Sequence, residues 1–417
     1  MTTNVSKIRD FTPDSYMLFA TRMARLFAYG FVSVILALYL SQLGLSEWQI
    51  GLLITLTLIG DTVISLWITT NADRIGRKRM LIVGAALMLF AGLFFAFTQD
   101  FIFLVIAGTI GVISPSGNEV GPFLALEQAA LSQIVPDKRR TQIFAWYNLV
   151  GSFSTALGAL CGGGLAQILQ GNGVTPLNSY RVIVIGYALL GLALGLMFMR
   201  LSANVEVPKE KIKPSTPLGF GLHRSRNVVI KLSGLFVLDA FGGALVLQSF
   251  VAYWFNKRYG VEPAVLGAIF FGANILAGIS ALSAVKIASK IGLINTMVFT
   301  HVPSNILLIL VPLMPTLPLA IIVLLLRFSI SQMDVPTRQS YTMAVVEPDE
   351  RSAAAGVTGI ARTLGASIAP TLAGQLMGNA GLLSLPFILA GTIKIIYDLL
   401  LYRSFKTIKP PEEKAKA

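Results

Sequence analysis

The sequence predicts an all-α integral membrane protein, with twelve transmembrane helices in two pseudo-symmetric six-helix bundles. Three observations predict it. The 417 residues are 54% hydrophobic and 13% charged, with a mean hydropathy of +0.73, whereas a soluble domain carries about one-quarter charged residues. Twelve apolar stretches are long enough to cross about 30 Å of hydrocarbon at about 1.5 Å per residue. A proline-bearing, basic and poorly apolar break at 201–228 divides these stretches six and six.

In chain order the stretches fall at 15–41, 46–70, 79–98, 101–134, 140–170, 182–200, 229–255, 262–288, 294–313, 317–346, 352–378 and 382–403. Pro115, Pro122 and Pro336 interrupt the fourth and tenth. Their length implies helices running past the bilayer core, with backbone groups that neighbouring protein must satisfy. The expected organisation is an N-terminal bundle over 1–200, a cytoplasmic linker over 201–228, and a C-terminal bundle with a short basic tail over 229–417. Residues 1–14 are polar, and the first apolar run is too long for a signal peptide, so it reads as a retained span.

The net charge of +13 raises the question of nucleic acid. Placement answers it. With the N-terminus inside, only Arg181, Lys257 and Arg258 fall outside, six cations lie within spans, and the rest of the 33 Lys and Arg are cytoplasmic. This is the positive-inside asymmetry. It accounts for the basic balance without nucleic acid and predicts a multi-pass protein of the cell inner (cytoplasmic) membrane with both termini cytoplasmic.

The halves repeat each other. Leu43-Gly44-Leu45-Ser46-Glu47 through Gly51 falls on Tyr259-Gly260-Val261-Glu262-Pro263 through Gly267 at an offset of 216. At the same offset of 216, Asp73-Arg74-Ile75-Gly76 falls on Ser289-Lys290-Ile291-Gly292. Near 212, Val135 to Arg139 falls on Glu347 to Arg351. Three matches at nearly one spacing make a parallel repeat, as expected for membrane carriers.

Several chemistries are argued against. One cysteine, Cys161, excludes a disulfide framework, and with only His223 and His301 besides, a His/Cys metal site is not expected. No phosphate-binding glycine loop or nucleophile elbow is present. No enzyme activity and no cofactor are expected.

The loop after the second span reads Asn71-Ala72-Asp73-Arg74-Ile75-Gly76-Arg77-Lys78-Arg79. It resembles the cytoplasmic signature of the major facilitator superfamily, and departs from it at Thr69 and Asn71, where glycine and leucine are usual. Gly356, Gly365, Ala369-Pro370 and Ala373-Gly374 on the eleventh span resemble that family's antiporter signature. The alternative reading is close helix packing by small residues. The family's usual arginine in the fourth span is missing. The resemblance implies spans 1, 4, 7 and 10 around a central cavity, and transport of a small-molecule substrate by a monomer in the lipid bilayer. A proton-coupling scheme that depends on the missing arginine does not transfer. With no nucleotide site, the expected energy source is an ion gradient, most simply of protons. Drug and metabolite:proton antiporters are the kind resembled.

Ionisable groups at mid-bilayer should face a cavity or a partner. Arg327, Ser331, Asp334 and Arg338 form one stripe of a helix on span 10. Its alternative is a local Asp334–Arg338 pair. Arg22, Arg25 and Tyr29 form a similar stripe on span 1, where Glu119 on span 4 matches Arg25 or Arg22 in depth; Arg22 could instead snorkel to the interface. Asp239 on span 7 has Arg338 or Asp334 available. The expected substrate and proton pathway is therefore Arg25, Glu119, Asp239, Arg327, Asp334 and Arg338. The expected gating set is Asp61, Asp73, Arg74, Gly76, Arg77 and Arg362, with Asp61 and Arg362 pairing across the halves. Lys394 and Asp398 read as a local pair, Glu127 as facing a cytoplasmic vestibule, and Trp48 and Trp254 as interfacial anchors. The functional expectation is a secondary active transporter working by alternating access, with proton-coupled export preferred. A proton-coupled importer of an anionic metabolite and a non-transporting membrane receptor on the same scaffold are the alternatives.

Overall fold

The computed structural model describes residues 12–135, 140–207, 223–347 and 350–408. The first half contains α1 (Pro13–Ser33), α2 (Leu36–Gln42), α3 (Glu47–Ile75), α4 (Arg77–Phe97), α5 (Phe101–Ile110), α6 (Phe123–Ile134), α7 (Arg140–Gly171) and α8 (Pro176–Met199). The second contains α9 (Arg226–Ala244), α10 (Gln248–Tyr259), α11 (Pro263–Ile291), α12 (Leu293–Leu310), α13 (Leu317–Ser331), α14 (Asp334–Ala344), α15 (Arg351–Met377) and α16 (Leu385–Phe405).

Among the described residues, nine helical stretches are long and apolar enough to cross a membrane, and α1 with α2 makes ten as one span bent by 46°. The two other predicted spans differ for physical reasons. The fourth is broken: Gly111 to Pro122 separates α5 from α6, because the run contains Pro115 and Pro122 and turns at Gly117 and Gly121, both at positive φ. The eleventh, α15, is helical throughout but rich in Gly, Ala, Ser and Thr, which lowers its hydropathy. Large apolar side chains such as Val63, Phe97, Ile102 and Val285 stay exposed on the outer surface, as lipid-facing positions must.

The repeat is structural. Helices α3 and α11 are both 29 residues long and begin at positions 216 apart. Gly76 (φ +118°) ends α3 and Gly292 (φ +87°) ends α11, again 216 apart. At both turns a side chain would strain the backbone.

The expected linker is shorter than 201–228 among the described residues. Ser202 is held to the first half by Asp14, whose carboxylate accepts from the Ser202 N–H at 2.9 Å and hydroxyl at 2.5 Å. Glu206 caps α4, accepting from the N–H groups of Arg77 (2.7 Å) and Lys78 (3.1 Å). On the other half, Glu350 accepts from the N–H groups of His223, Arg224 and Ser225 at 2.6, 2.8 and 2.8 Å. These three donors outweigh its desolvation and hold its carboxyl down to about 2. Each half thus clamps one end of the connection, and residues 208–222 lie outside the described residues.

Candidate substrate and coupling site

Each half holds one buried cluster of charges, built by helices that sequence alone does not place side by side. In the first half, α1 presents Arg22 and Arg25 one turn apart toward the broken fourth span. Arg22 donates to Glu119 at 2.9 Å, to the Tyr147 carbonyl at 2.9 Å and to Asn148 at 3.3 Å. Arg25, fully buried, bonds Glu119 through Nη1 and Glu127 through Nη2, the latter at 2.5 Å. Thr21 donates to the other oxygen of Glu127 at 2.9 Å, and the Tyr147 hydroxyl also donates to that carboxylate. The expected Arg25–Glu119 pairing is present. Arg22 does not snorkel, because it is buried and bonded. Glu127 faces no vestibule; it is fully buried as the second anchor of Arg25. Glu119 lies in the irregular stretch before α6, where its side chain keeps 17% of its surface accessible.

In the second half, Asp239 on α9 is the hub. Its carboxylate accepts from Arg338 at 2.9 Å, from Arg362 at 3.0 Å and from Lys394, with His301 Nε2 at 3.9 Å. Arg338 also takes Asp334 at 2.7 Å, so both expected partners of Arg338 are real and simultaneous. Lys394 and Asp398 are not the local pair expected. The turn of α16 points Lys394 at Asp239, while Asp398 receives His301 Nδ1 at 2.8 Å and the Asn305 amide at 3.1 Å. Leaving His301 aside, the three carboxylates Asp239, Asp334 and Asp398 match the three cations Arg338, Arg362 and Lys394. The first half balances likewise, with Arg22 and Arg25 against Glu119 and Glu127. Neutral clusters of this kind lower the cost of charge in an apolar interior. Among the described residues no group of three or more His, Cys, Asp or Glu could hold a metal ion.

The gating residues are arranged differently from expectation. Asp61 and Arg362 do not pair. Arg362 reaches Asp239 in its own half, and Asp61 is bonded by Ser65 (3.4 Å) and by the Gly121 backbone in its own. Asp73 bonds Arg77 at 2.8 Å, and Arg77 continues to Gln133 at 3.0 Å and to the Val205 carbonyl at 3.4 Å, all within the first half. Arg74 is exposed, and Gly76 makes the turn beneath the Glu206 cap. Trp48 is exposed as an anchor should be, but Trp254 is fully buried with its Nε1 donating to Ser384 at 3.1 Å.

The halves meet toward the face that carries Glu47. Tyr253 donates to Glu47 at 2.6 Å, Lys257 lies 3.7 Å from Glu47, Gln248 donates to Ser33 at 2.8 Å, and Thr371 bonds Thr55 at 2.8 Å. Small residues make the approach possible, and they do so twice by pseudo-symmetry. A Cβ on Gly51 would lie 2.3 Å from the Pro370 carbonyl, and one on Gly163 would lie 2.2 Å from the Pro263 carbonyl. Of the small residues on α15, Gly374 packs on α3 against the Glu47 carbonyl and Gly365 packs on α9 against the Val237 carbonyl, while a Cβ on Gly356 would meet nothing within 4 Å. On the same face a cleft of about 450 Å³ lies among Ser41, Gln42, Gln170, Tyr253, Asn256 and Lys257, away from both charge clusters.

The Major Facilitator Superfamily model matches residues 18–370. The chain belongs to this superfamily. Its relatives include the "Uncharacterized membrane protein YJR124C" of Saccharomyces cerevisiae, 31% identical over 93% of both chains. The quinolone resistance protein NorA of Staphylococcus aureus is 26% identical over 139 residues, 33% of this chain and 34% of that one. Among solved structures, an inward-facing, unoccupied bacterial homologue of the human lysosomal transporter Spinster superposes with a TM-score of 0.72 at 15% identity, covering 94% and 96% of the two chains. A D-xylose–proton symporter gives 0.71 at 15% identity, covering 93% and 97%. At these identities the structural likeness shows the fold. As a major facilitator the protein is a multi-pass membrane transporter, and its two charge clusters sit in corresponding halves of that fold.

Sequence reasoning missed Glu127, His301, Lys394 and Asp398 as members of these clusters. The available signal was that each is an ionisable residue well inside an apolar span, which demands a partner whatever the local spacing suggests.

Proposed function

We propose that the protein carries a small organic solute across the cytoplasmic membrane by alternating access, as a proton-coupled exporter with both termini and the connection between halves cytoplasmic. The observation that carries this reading is the asymmetry of the contacts between halves. Hydrogen bonds join them near Glu47, Ser33 and Thr55, while Asp61 and Arg362, farther along α3 and α15, each bond within their own half. Such an arrangement belongs to a two-gate carrier closed at one face, and the basic loops put the closed face outside. Export is favoured by the relaxed antiporter signature and by the partial similarity to a drug resistance protein.

Two results test it. In a Cys161→Ser background, Ser215→Cys should be labelled by an impermeant maleimide only from the cytoplasmic side; labelling from outside defeats the topology. Gly51→Val should wedge α3 from the Pro370 carbonyl. A cysteine placed at Asp61 should then gain reactivity from outside, several-fold over the same cysteine with Gly51 intact. Equal reactivity would show that the Glu47 face is no gate.

A further inference from the structure

Arg22, Arg25, Arg338, Arg362 and Lys394 each bond a carboxylate. Arg327 on α13 has no such partner among the described residues. It lies on the buried stripe of its helix with Ala320, Leu324 and Ser331, surrounded by protein, yet it keeps part of its surface accessible. Ten residues from the start of α13, it is about 15 Å deep, near the middle of a bilayer about 30 Å thick. Its side chain is too short to reach a headgroup. The Arg327 Nε and, one turn on, the Ser331 hydroxyl are both buried without a hydrogen-bond partner from the protein. The carboxylate whose charge acts on Arg327 is Asp334, which Arg338 already holds at 2.7 Å.

A lone cation at this depth costs several kcal/mol, and the protein neutralises its other intramembrane cations with its own carboxylates. We propose that Arg327, with Ser331 beside it, receives the oxyanion group of an organic anion, and that such anions are what the protein carries. A guanidinium fits a carboxylate, sulfonate or phosphate through paired N–H donors. Phe328 beside it, with the guanidinium 4.9 Å over its ring, suits an apolar or aromatic body. The substrate class rests on the carrier reading above, whereas the binding site is measurable without transport.

The test uses purified full-length protein, with thermal unfolding followed at constant ionic strength. The probes are benzoate, benzenesulfonate and phenyl phosphate, with neutral benzamide as the matched control. Wild type should be stabilised saturably by at least one anion and not by benzamide. Arg327→Gln should be no less stable than wild type without ligand, because it removes an uncompensated charge. Its affinity for that anion should be weaker by roughly 10- to 100-fold, with Arg327→Lys in between. A structural Arg327 predicts the opposite: Arg327→Gln destabilised, with any anion response unchanged. That result overturns the proposal, and so does a wild type indifferent to all three anions. Anion binding through Arg327 in a protein whose Glu47 face never opens would overturn the transport reading alone.

Discussion

Asp239→Asn is expected to remove most of the folded protein from the membrane. Asp239 is the carboxylate on which Lys394, Arg338 and Arg362 all meet, and it is 3% exposed. Without its charge, three cations share only Asp334 and Asp398 inside an apolar bundle. Breaking a buried ion pair by removing one partner costs about 3–5 kcal/mol, a large share of a total stability of roughly 5–15 kcal/mol. Fluorescence-detected size exclusion should show a monodisperse peak reduced to a small fraction of wild type. Adding Lys394→Met to Asp239→Asn restores charge balance and should recover much of that peak, because an apolar side chain replaces an ion whose counter-charge is gone. Full expression of Asp239→Asn alone, or no rescue by the second change, would remove Asp239 from its place as hub.

Glu119→Gln is expected to abolish proton-driven accumulation while leaving exchange of substrate without a gradient. The two carboxylates of the first cluster differ in access. Glu127 is sealed by Arg25, Thr21 and Tyr147 with no exposed surface, so neutralising it should cost folded protein. Glu119 bridges Arg22 and Arg25 from an irregular segment and keeps 17% of its side chain open. A proton arriving on Glu119 weakens one bond of Arg22 and one of Arg25 at once, which gives protonation a mechanical consequence on α1. Asp334→Asn is the counterpart in the second half, where the same carboxylate-to-amide change frees one bond of Arg338. Vesicle assays that compare accumulation under a pH gradient with counterflow separate coupling from packing. Should Glu119→Gln and Asp334→Asn both keep accumulation at wild-type steepness in pH, neither carries the proton. If Arg25 and Glu119 are partners, reversing both charges together should recover expression that either reversal alone loses.

Composition and the spacing of apolar runs determined the membrane fold, the two halves and the repeat, because the bilayer's thickness and dielectric act on each span separately. The Asp73 loop with Gly76 was legible for the same reason: its chemistry is local to one turn. Partners across neighbouring helices were partly legible. Arg25 with Glu119, and Arg338 with Asp239 and Asp334, followed from matching depth and opposite sign. Depth alone could not choose between Asp61 and Asp239 for Arg362, or between Asp398 and Asp239 for Lys394. That choice depends on the rotation of α15 and α16 about their own axes and on which helices they pack against. Those are properties of the assembled bundle: α15 turns Arg362 toward α9, and α16 delivers Lys394 to Asp239 while Asp398 closes onto His301. That Arg327 has no carboxylate partner among the described residues was equally invisible, since this becomes defined only when the neighbouring helices are in place.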